Sequence, residues 1–323
     1  MVNFSKQEVE VVVVGAGPSG IAVSACLNNF DKYVEHFSIK PKFQTCVELA
    51  FFNSEEGKWN VKSRDLASGD LEVYACNFLI LATGENNEGY IPKVVGIEKF
   101  EGEIIHSSDY KSGQKYEEKN VLVVGSGNSG MEIAFDLSNY GSHASIVVRS
   151  PIQVLTRDMV NIAMLMLKYI PVSLVDIVIA KYAKFKFGNL AEFGIPQPKE
   201  GPFSVKISKG RSPVIDVGAI DKIKLGQIKV LPGISEIREQ TVVFDNGDEH
   251  QFDAIIFATG YKNVATKWLK DYSSIFLEDG TLINWKGENG LYAAGFSKRG
   301  IAGISMDAIA IADNIKTVRG DKI

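Results

Sequence analysis

Two short glycine-rich stretches have the residue types and spacing best suited to chemistry in this sequence. Gly15-Ala16-Gly17-Pro18-Ser19-Gly20 and Gly125-Ser126-Gly127-Asn128-Ser129-Gly130 both follow the pattern G-x-G-x-x-G. In such a loop the first glycine turns the chain out of a strand. The second lets backbone approach a pyrophosphate, and the third lets a helix pack close, so that its N-terminal N–H groups face the anion. One copy alone is a weak signal, because glycines also cluster in ordinary turns; the pattern becomes informative between a strand and a helix.

Both copies have that setting. Val11 to Val14 is an apolar, β-branched run of the kind that forms a strand buried on both faces. Ile21 to Asn28 then reads as helix. Val121 to Val124 and Met131 to Asn139 repeat this order, and Ser145 to Arg149 reads as the next strand. Each half closes on an apolar strand ending in Ala-Thr-Gly. Asn77 to Ala82 runs into Thr83-Gly84, and Phe252 to Ala258 runs into Thr259-Gly260-Tyr261. Short alternating strands precede each closure, Phe43 to Tyr74 and Gln227 to Phe252, with a hairpin turn at Asp245-Asn246-Gly247-Asp248. The duplication predicts an α/β chain of two interleaved, Rossmann-like, three-layer dinucleotide-binding domains. Residues 1–111 with 262–323 are expected in one domain, and residues 112–261 in the other.

The second copy also suggests its nucleotide. A Rossmann unit reads the ribose about 20 positions on, with an acid for a free 2′-hydroxyl or an Arg for a 2′-phosphate. Arg149 stands at that place, followed by Ser150, and no acid is there. This predicts NADPH rather than NADH; the plainer alternative is a solvated charge at a strand end.

Bulk properties narrow the remaining classes. The chain has 323 residues, 45% of them hydrophobic, which is enough for about two domains. A net charge of -4 argues against nucleic acid or an anionic membrane as the main partner. Cys26, Cys46 and Cys76 form neither a disulfide framework nor a CxxC pair, so no metal site is expected and a disulfide reductase is set aside. The N-terminus does not read as a signal peptide. The oily stretch Met159 to Ala180 is broken by Lys168, Pro171 and Asp176 and reads as buried or amphipathic helix rather than a span. A cytoplasmic location is the default expectation.

Further motifs match a known family. Phe100, Gly102, His106 and Tyr110 fit the FxGxxxHxxxY signature of flavin-containing monooxygenases, and Phe257 to Tyr261 supplies that family's FATGY. The chain most resembles the plant YUCCA branch, through ATGEN at Ala82 to Asn86, GNSGMEIAFDL at Gly127 to Leu137, GRSPVIDVG at Gly210 to Gly218 and LYAAGFSKRGIAGIS at Leu291 to Ser305. The resemblance implies a fold of the flavin-containing monooxygenase type, with FAD on the Gly15 loop and NADPH on the Gly125 loop. It also implies an activity. NADPH reduces FAD, dioxygen adds to give a C4a-(hydro)peroxyflavin, and indole-3-pyruvate loses carbon dioxide to become indole-3-acetate. The flavin supplies the reactivity, so no catalytic side chain is assigned. His106 is expected to be structural, Asn86 a loop residue near the nucleotides, and Gly295-Phe296 the entry to a helix near Met306 to Ile315, a region that the resemblance implies closes over the flavin.

One part departs from the pattern. Gly15 and Gly84 are about half as far apart in sequence as Gly125 and Gly260. The first helix should lead to a second strand ending in an acid that holds the FAD ribose. Instead Asn29 to Phe37 reads as helix, so Glu35 is not given that role. A stretch of a few tens of residues is inferred to be missing between about Asn29 and Phe30. The competing reading is therefore a catalytically inactive, truncated nucleotide-binding paralogue or isoform.

Overall fold

The structure, a computed structural model, describes residues 4–27, 41–297 and 301–320. The helix expected over Asn29 to Phe37 and the break inferred after Asn29 lie outside the described residues. In chain order the main elements begin with β1 (Phe4–Val14), α1 (Pro18–Leu27), β2 (Thr45–Asn53), β3 (Lys58–Asp65), β4 (Leu71–Leu81), β5 (Glu103–His106), β6 (Asn120–Val124) and α2 (Asn128–Asn139). Next come β7 (His143–Val147), α3 (Arg157–Met166), α4 (Val172–Phe187), α5 (Pro202–Lys209), α6 (Ala219–Lys224) and β8 (Ile228–Leu231). The chain ends with β9 (Ile234–Ile237), β10 (Thr241–Phe244), β11 (Glu249–Gln251), β12 (Ala254–Phe257), β13 (Leu291–Ala293) and α7 (Ile301–Arg319).

These elements form two compact units, one inserted in the other: Met1–Glu88 with Tyr261–Ile323, and Gly89–Gly260. Residues 89–111, expected in the first unit, fall in the second. The cause is β5, which pairs in parallel with β12, Glu103 opposite Ala254 and His106 opposite Phe257.

In the first unit β4 is the central strand. One of its edges pairs in parallel with β1 along its length, from Phe4 opposite Leu71 to Val14 opposite Leu81. Its other edge is shared between antiparallel β3 and parallel β13. Alternation along β4 divides the core. Leu79 and Leu81 pack with Trp59, Phe276 and Phe296 on one face, and Ile80 packs with Val23, Ile311 and Ile315 of the helices on the other.

In the second unit the order is β8-β7-β6-β12-β5, every pair parallel. Val121, Leu122 and Val123 of β6 are fully buried. Helix α2 covers one face through Met131, Ala134 and Leu137, a three-residue spacing that forms a single apolar stripe. The meander β9-β10-β11 covers the other through Val242 and Phe244.

The two glycine-loop strands differ in one respect. β6 has a partner strand on each side. Among the described strands β1 has one partner, β4, and Val11 to Val14 are only half buried. The strand expected beyond β1 is not present among the described residues.

Candidate functional site

The two glycine loops are built alike. Gly15 turns out of β1 at φ 118°, where a Cβ would lie 2.3 Å from the Ala82 carbonyl oxygen. Gly125 turns out of β6 at φ 116°, where a Cβ would lie 2.4 Å from the Ala258 carbonyl oxygen. On Gly20 a Cβ would stand 1.9 Å from the Gly15 oxygen, and on Gly130 it would stand 1.8 Å from the Gly125 oxygen. Gly17 and Gly127 have open space around them. Pro18, Ser19 and Gly20 already belong to the first turn of α1, as Asn128, Ser129 and Gly130 do to α2. Ile21 N–H donates to Gly17 O at 3.0 Å, and Met131 N–H to Gly127 O at 3.0 Å. Each helix therefore begins at its loop with N–H groups free to meet an anion.

The Ala-Thr-Gly segments close against these loops. Ala82 N–H donates to Val14 O, and Ala258 N–H to Val124 O, each at 2.8 Å. The Thr83 hydroxyl is buried and has no hydrogen-bond partner among the described residues. A buried unpaired hydroxyl is costly unless something absent from the protein chain meets it. Gly84 and Gly260 both take positive φ, near 80° and 84°, which few other residues adopt. Thr259 differs from Thr83, because its hydroxyl donates to the Tyr90 carbonyl. Gly295, also at positive φ, leaves no room for a side chain, since a Cβ would lie 2.0 Å from Ser19 Oγ. Its N–H donates to Asp307 of α7 at 3.0 Å.

Beside the first loop runs a groove of about 590 Å³ along β1, lined by Val11, Val13, Gly15, Gly20 and, on β3, Ser63. The Ser63 hydroxyl is buried and likewise without a partner among the described residues. Beside the second loop lies a cleft of about 370 Å³ lined by Gly127, Ser150, Gln153, Arg211 and Pro213. Arg149, one residue beyond Val148, is exposed, with its stem beside Gly233. Arg211 was not singled out in the sequence as a ligand; the signal available was the GRSPVIDVG stretch that contains it. The Asn128 side-chain carbonyl accepts from Ile215 N–H at 2.7 Å, so that oxygen serves the fold.

The FxGxxxHxxxY residues act inside the second unit. Gly102 lies so close to Asp253 O and the Phe100 ring that a Cβ would come within 2.5 Å of each. His106 is buried, with Nε2 2.9 Å from Gly260 O and Nδ1 3.0 Å from Ser108 Oγ. A carbonyl only accepts, so Nε2 carries the proton. Tyr110 OH donates to Asp136 Oδ2 on α2 at 2.6 Å. Burial and the adjacent carboxylate push the Tyr110 phenol well above its usual range. The signature thus ties the β5 region to the Ala-Thr-Gly loop at Gly260 and to α2, a positioning task. Cys76 is buried and its thiol is pushed up to about 12 by burial, which suits an inert thiol.

The comparisons agree with this construction. The flavin-binding monooxygenase-like family profile matches residues 18–290, and the chain belongs to that family. It is an enzyme family of flavin-dependent monooxygenases. "Probable indole-3-pyruvate monooxygenase YUCCA10" of Arabidopsis thaliana is 40% identical, covering 96% of this chain and 98% of that protein. Indole-3-pyruvate monooxygenase YUCCA6 of the same plant is 40% identical over 97% of this chain and 78% of its own length, and YUCCA1 of Oryza sativa subsp. japonica is 37% identical over 94% and 90%. Among solved structures, a flavin-containing monooxygenase from Stenotrophomonas maltophilia has a TM-score of 0.68 at 15% identity, covering 97% of this chain and 99% of the other. An open form of cyclohexanone monooxygenase reaches 0.64 at 16%, covering 97% and 88%. At that identity these two give the fold alone.

The YUCCA10 alignment runs over 375 positions but uses 96% of this 323-residue chain, about 310 residues, leaving roughly 65 positions filled by the relative alone. The YUCCA6 alignment is shorter, 328 positions.

Proposed function

We propose that this chain is an NADPH- and FAD-dependent monooxygenase that converts indole-3-pyruvate to indole-3-acetate. The observation that carries this is the pair of glycine cradles, whose nearest carbonyl-oxygen approaches agree to within a tenth of an ångström, each closed by an Ala-Thr-Gly strand. The substrate comes from the YUCCA relatives. The balance is one keto acid, one dioxygen, one NADPH and one proton giving the shorter acid, carbon dioxide, water and NADP+.

The Gly125–Gly130 loop and the α2 N-terminus would hold the NADPH pyrophosphate, with Arg149, Ser150 and Arg211 as partners for the 2′-phosphate. The Gly15–Gly20 loop, the unpaired Thr83 hydroxyl and the α1 N-terminus would hold the FAD pyrophosphate, with Gly84 and Gly295 giving the ring close backbone approach. When bound, the flavin supplies the redox chemistry with NADPH and dioxygen. The chain's own residues bind, orient and shield. His106 holds the Gly260 carbonyl in place, and Tyr110 holds α2 through Asp136.

A second reading is favoured by β1, which has a single partner among the described strands. We assign the extra residues of YUCCA10 to the position after Asn29, where the strand with the ribose-holding acid would stand. A chain lacking that strand would bind NADPH but not FAD. The experiment is to purify the chain, measure flavin absorbance with and without added FAD, and follow NADPH oxidation with indole-3-pyruvate. Bound flavin with indole-3-acetate formed supports the enzyme. Colourless protein that still binds NADPH supports the second reading.

A further inference from the structure

Helix α4 has two apolar faces. Val175, Ile179, Ala183 and Phe187, spaced by four, are buried in the second unit. Leu174, Ile177, Val178 and Phe185 repeat on the opposite side and are exposed, Phe185 to 89%. A helix on a protein surface ordinarily turns a polar face outward. Here the outward face is oily, and the packed neighbour α3 and its following turn also expose apolar residues, Leu165 and Tyr169, Tyr169 to 88%. Apolar exposure concentrated on two packed helices of a folded protein marks a contact surface.

The charge on this hairpin is one-sided. Between Met159 and Gly188 the cations are Lys168, Lys181, Lys184 and Lys186, all exposed. The hairpin's acids are Asp158, exposed in the first turn of α3 beside Arg157, and Asp176, which is buried and accepts from Phe203 N–H and Ser204 N–H at 2.8 and 2.9 Å, capping α5. None of the four lysines is in an ion pair among the described residues. The overall charge of -4 is therefore reversed locally.

We propose that the α3–α4 hairpin docks on an anionic lipid membrane surface. Exposed Leu, Ile and Phe would enter the interface, Tyr169 would sit at its polar boundary, and the lysine heads would reach anionic headgroups along their own apolar stems. Self-association is the poorer match, since a two-fold contact would set this lysine-bearing patch against its own copy. The contact is peripheral, because among the described residues no helix is long and apolar enough to cross a membrane.

The test is flotation of the whole chain with phosphatidylcholine vesicles and with vesicles that also contain phosphatidylserine. Binding to the anionic vesicles, weakened by salt, is expected. Tyr169→Ser with Phe185→Ser, and separately Lys181→Glu with Lys184→Glu, should each lower it by about tenfold or more, with unchanged circular dichroism. No flotation with anionic vesicles overturns the proposal, as does equal binding by the variants. A dimer in solution that the Tyr169/Phe185 variant converts to monomer also overturns it, because the face then belongs to a second copy.

Discussion

The carbonyl oxygen of Gly15 lies 1.9 Å from where a side-chain carbon on Gly20 would stand, and the same relation recurs at 1.8 Å between Gly125 and Gly130. Strand and helix meet there with no space for a methyl group. Gly20→Ala and Gly130→Ala must move backbone, at a cost of about 1–3 kcal/mol or more. Urea denaturation should show that loss for both. Gly127→Ala has open space and should keep the fold's stability while weakening NADPH, because the added carbon meets the nucleotide rather than the protein. Equal destabilisation by Gly127→Ala and Gly130→Ala would contradict this.

The His106 contact with Gly260 O predicts a structural penalty. His106→Ala empties a buried site and removes one of two donors to the Gly260 carbonyl, the other being Tyr90 N–H at 2.9 Å, so the lost hydrogen bond itself costs about 0.5–1.5 kcal/mol. Thermal unfolding should register it, and NADPH affinity should fall with it because the Gly260 loop is less firmly held. Unchanged stability with a large loss of turnover would instead make His106 a chemical participant.

Arg149 and Arg211 should separate the two nicotinamide cofactors. A charge-assisted contact to phosphate is worth about 1.5–3 kcal/mol, so removing it weakens NADPH roughly 10- to 100-fold and leaves NADH nearly unchanged. Titrating Arg149→Ala and Arg211→Ala with both cofactors identifies which guanidinium meets the 2′-phosphate. An equal loss for NADPH and NADH in both variants would refute the assignment.

Cys76 and Cys46 should differ in reactivity. Cys46 is exposed and should label rapidly with a thiol reagent, whereas Cys76 should resist until the chain unfolds. Burial favours the neutral Cys76 thiol in the folded chain, so its contribution to stability is full below the ordinary thiol range. It declines as pH rises from that range toward about 12. Early labelling of Cys76 in the folded protein would contradict the buried placement.

Hydrogen exchange should distinguish the two loop strands. Val121 to Val124 lie between two partner strands, whereas Val11 to Val14 have one among those described. Amides of β6 should therefore be protected for much longer than those of β1. Comparable protection would mean that β1 has acquired a cover.

Much of this was legible in the residues. A β-branched run, G-x-G-x-x-G and a helix signal together specify a local geometry, so the two cradles and both Ala-Thr-Gly closures fell at the expected positions. The shortfall of the first half could be read from the spacing of Gly15 and Gly84. Other features depend on contacts distant in sequence. The unit boundary moved from after residue 111 to after 88 because Glu103–His106 pairs with a strand about 150 residues later, as Glu103 opposite Ala254 illustrates. Arg211 reaches the Gly127 cleft only through the fold. The oily run at Met159 to Ala180 looked like ordinary buried helix, because periodicity reports two apolar faces without saying which one is covered.

The insertion of one unit within the other sets an order of events during synthesis. Gly89–Gly260 is continuous and can complete its five parallel strands as soon as it leaves the ribosome. The first unit must wait, holding β1 and β4 without β13 and α7 until residues 291–319 are made. The usual N-terminal-first sequence of domain folding is reversed here. The half-built sheet at the start of the chain is then the interval in which a chaperone has most to do.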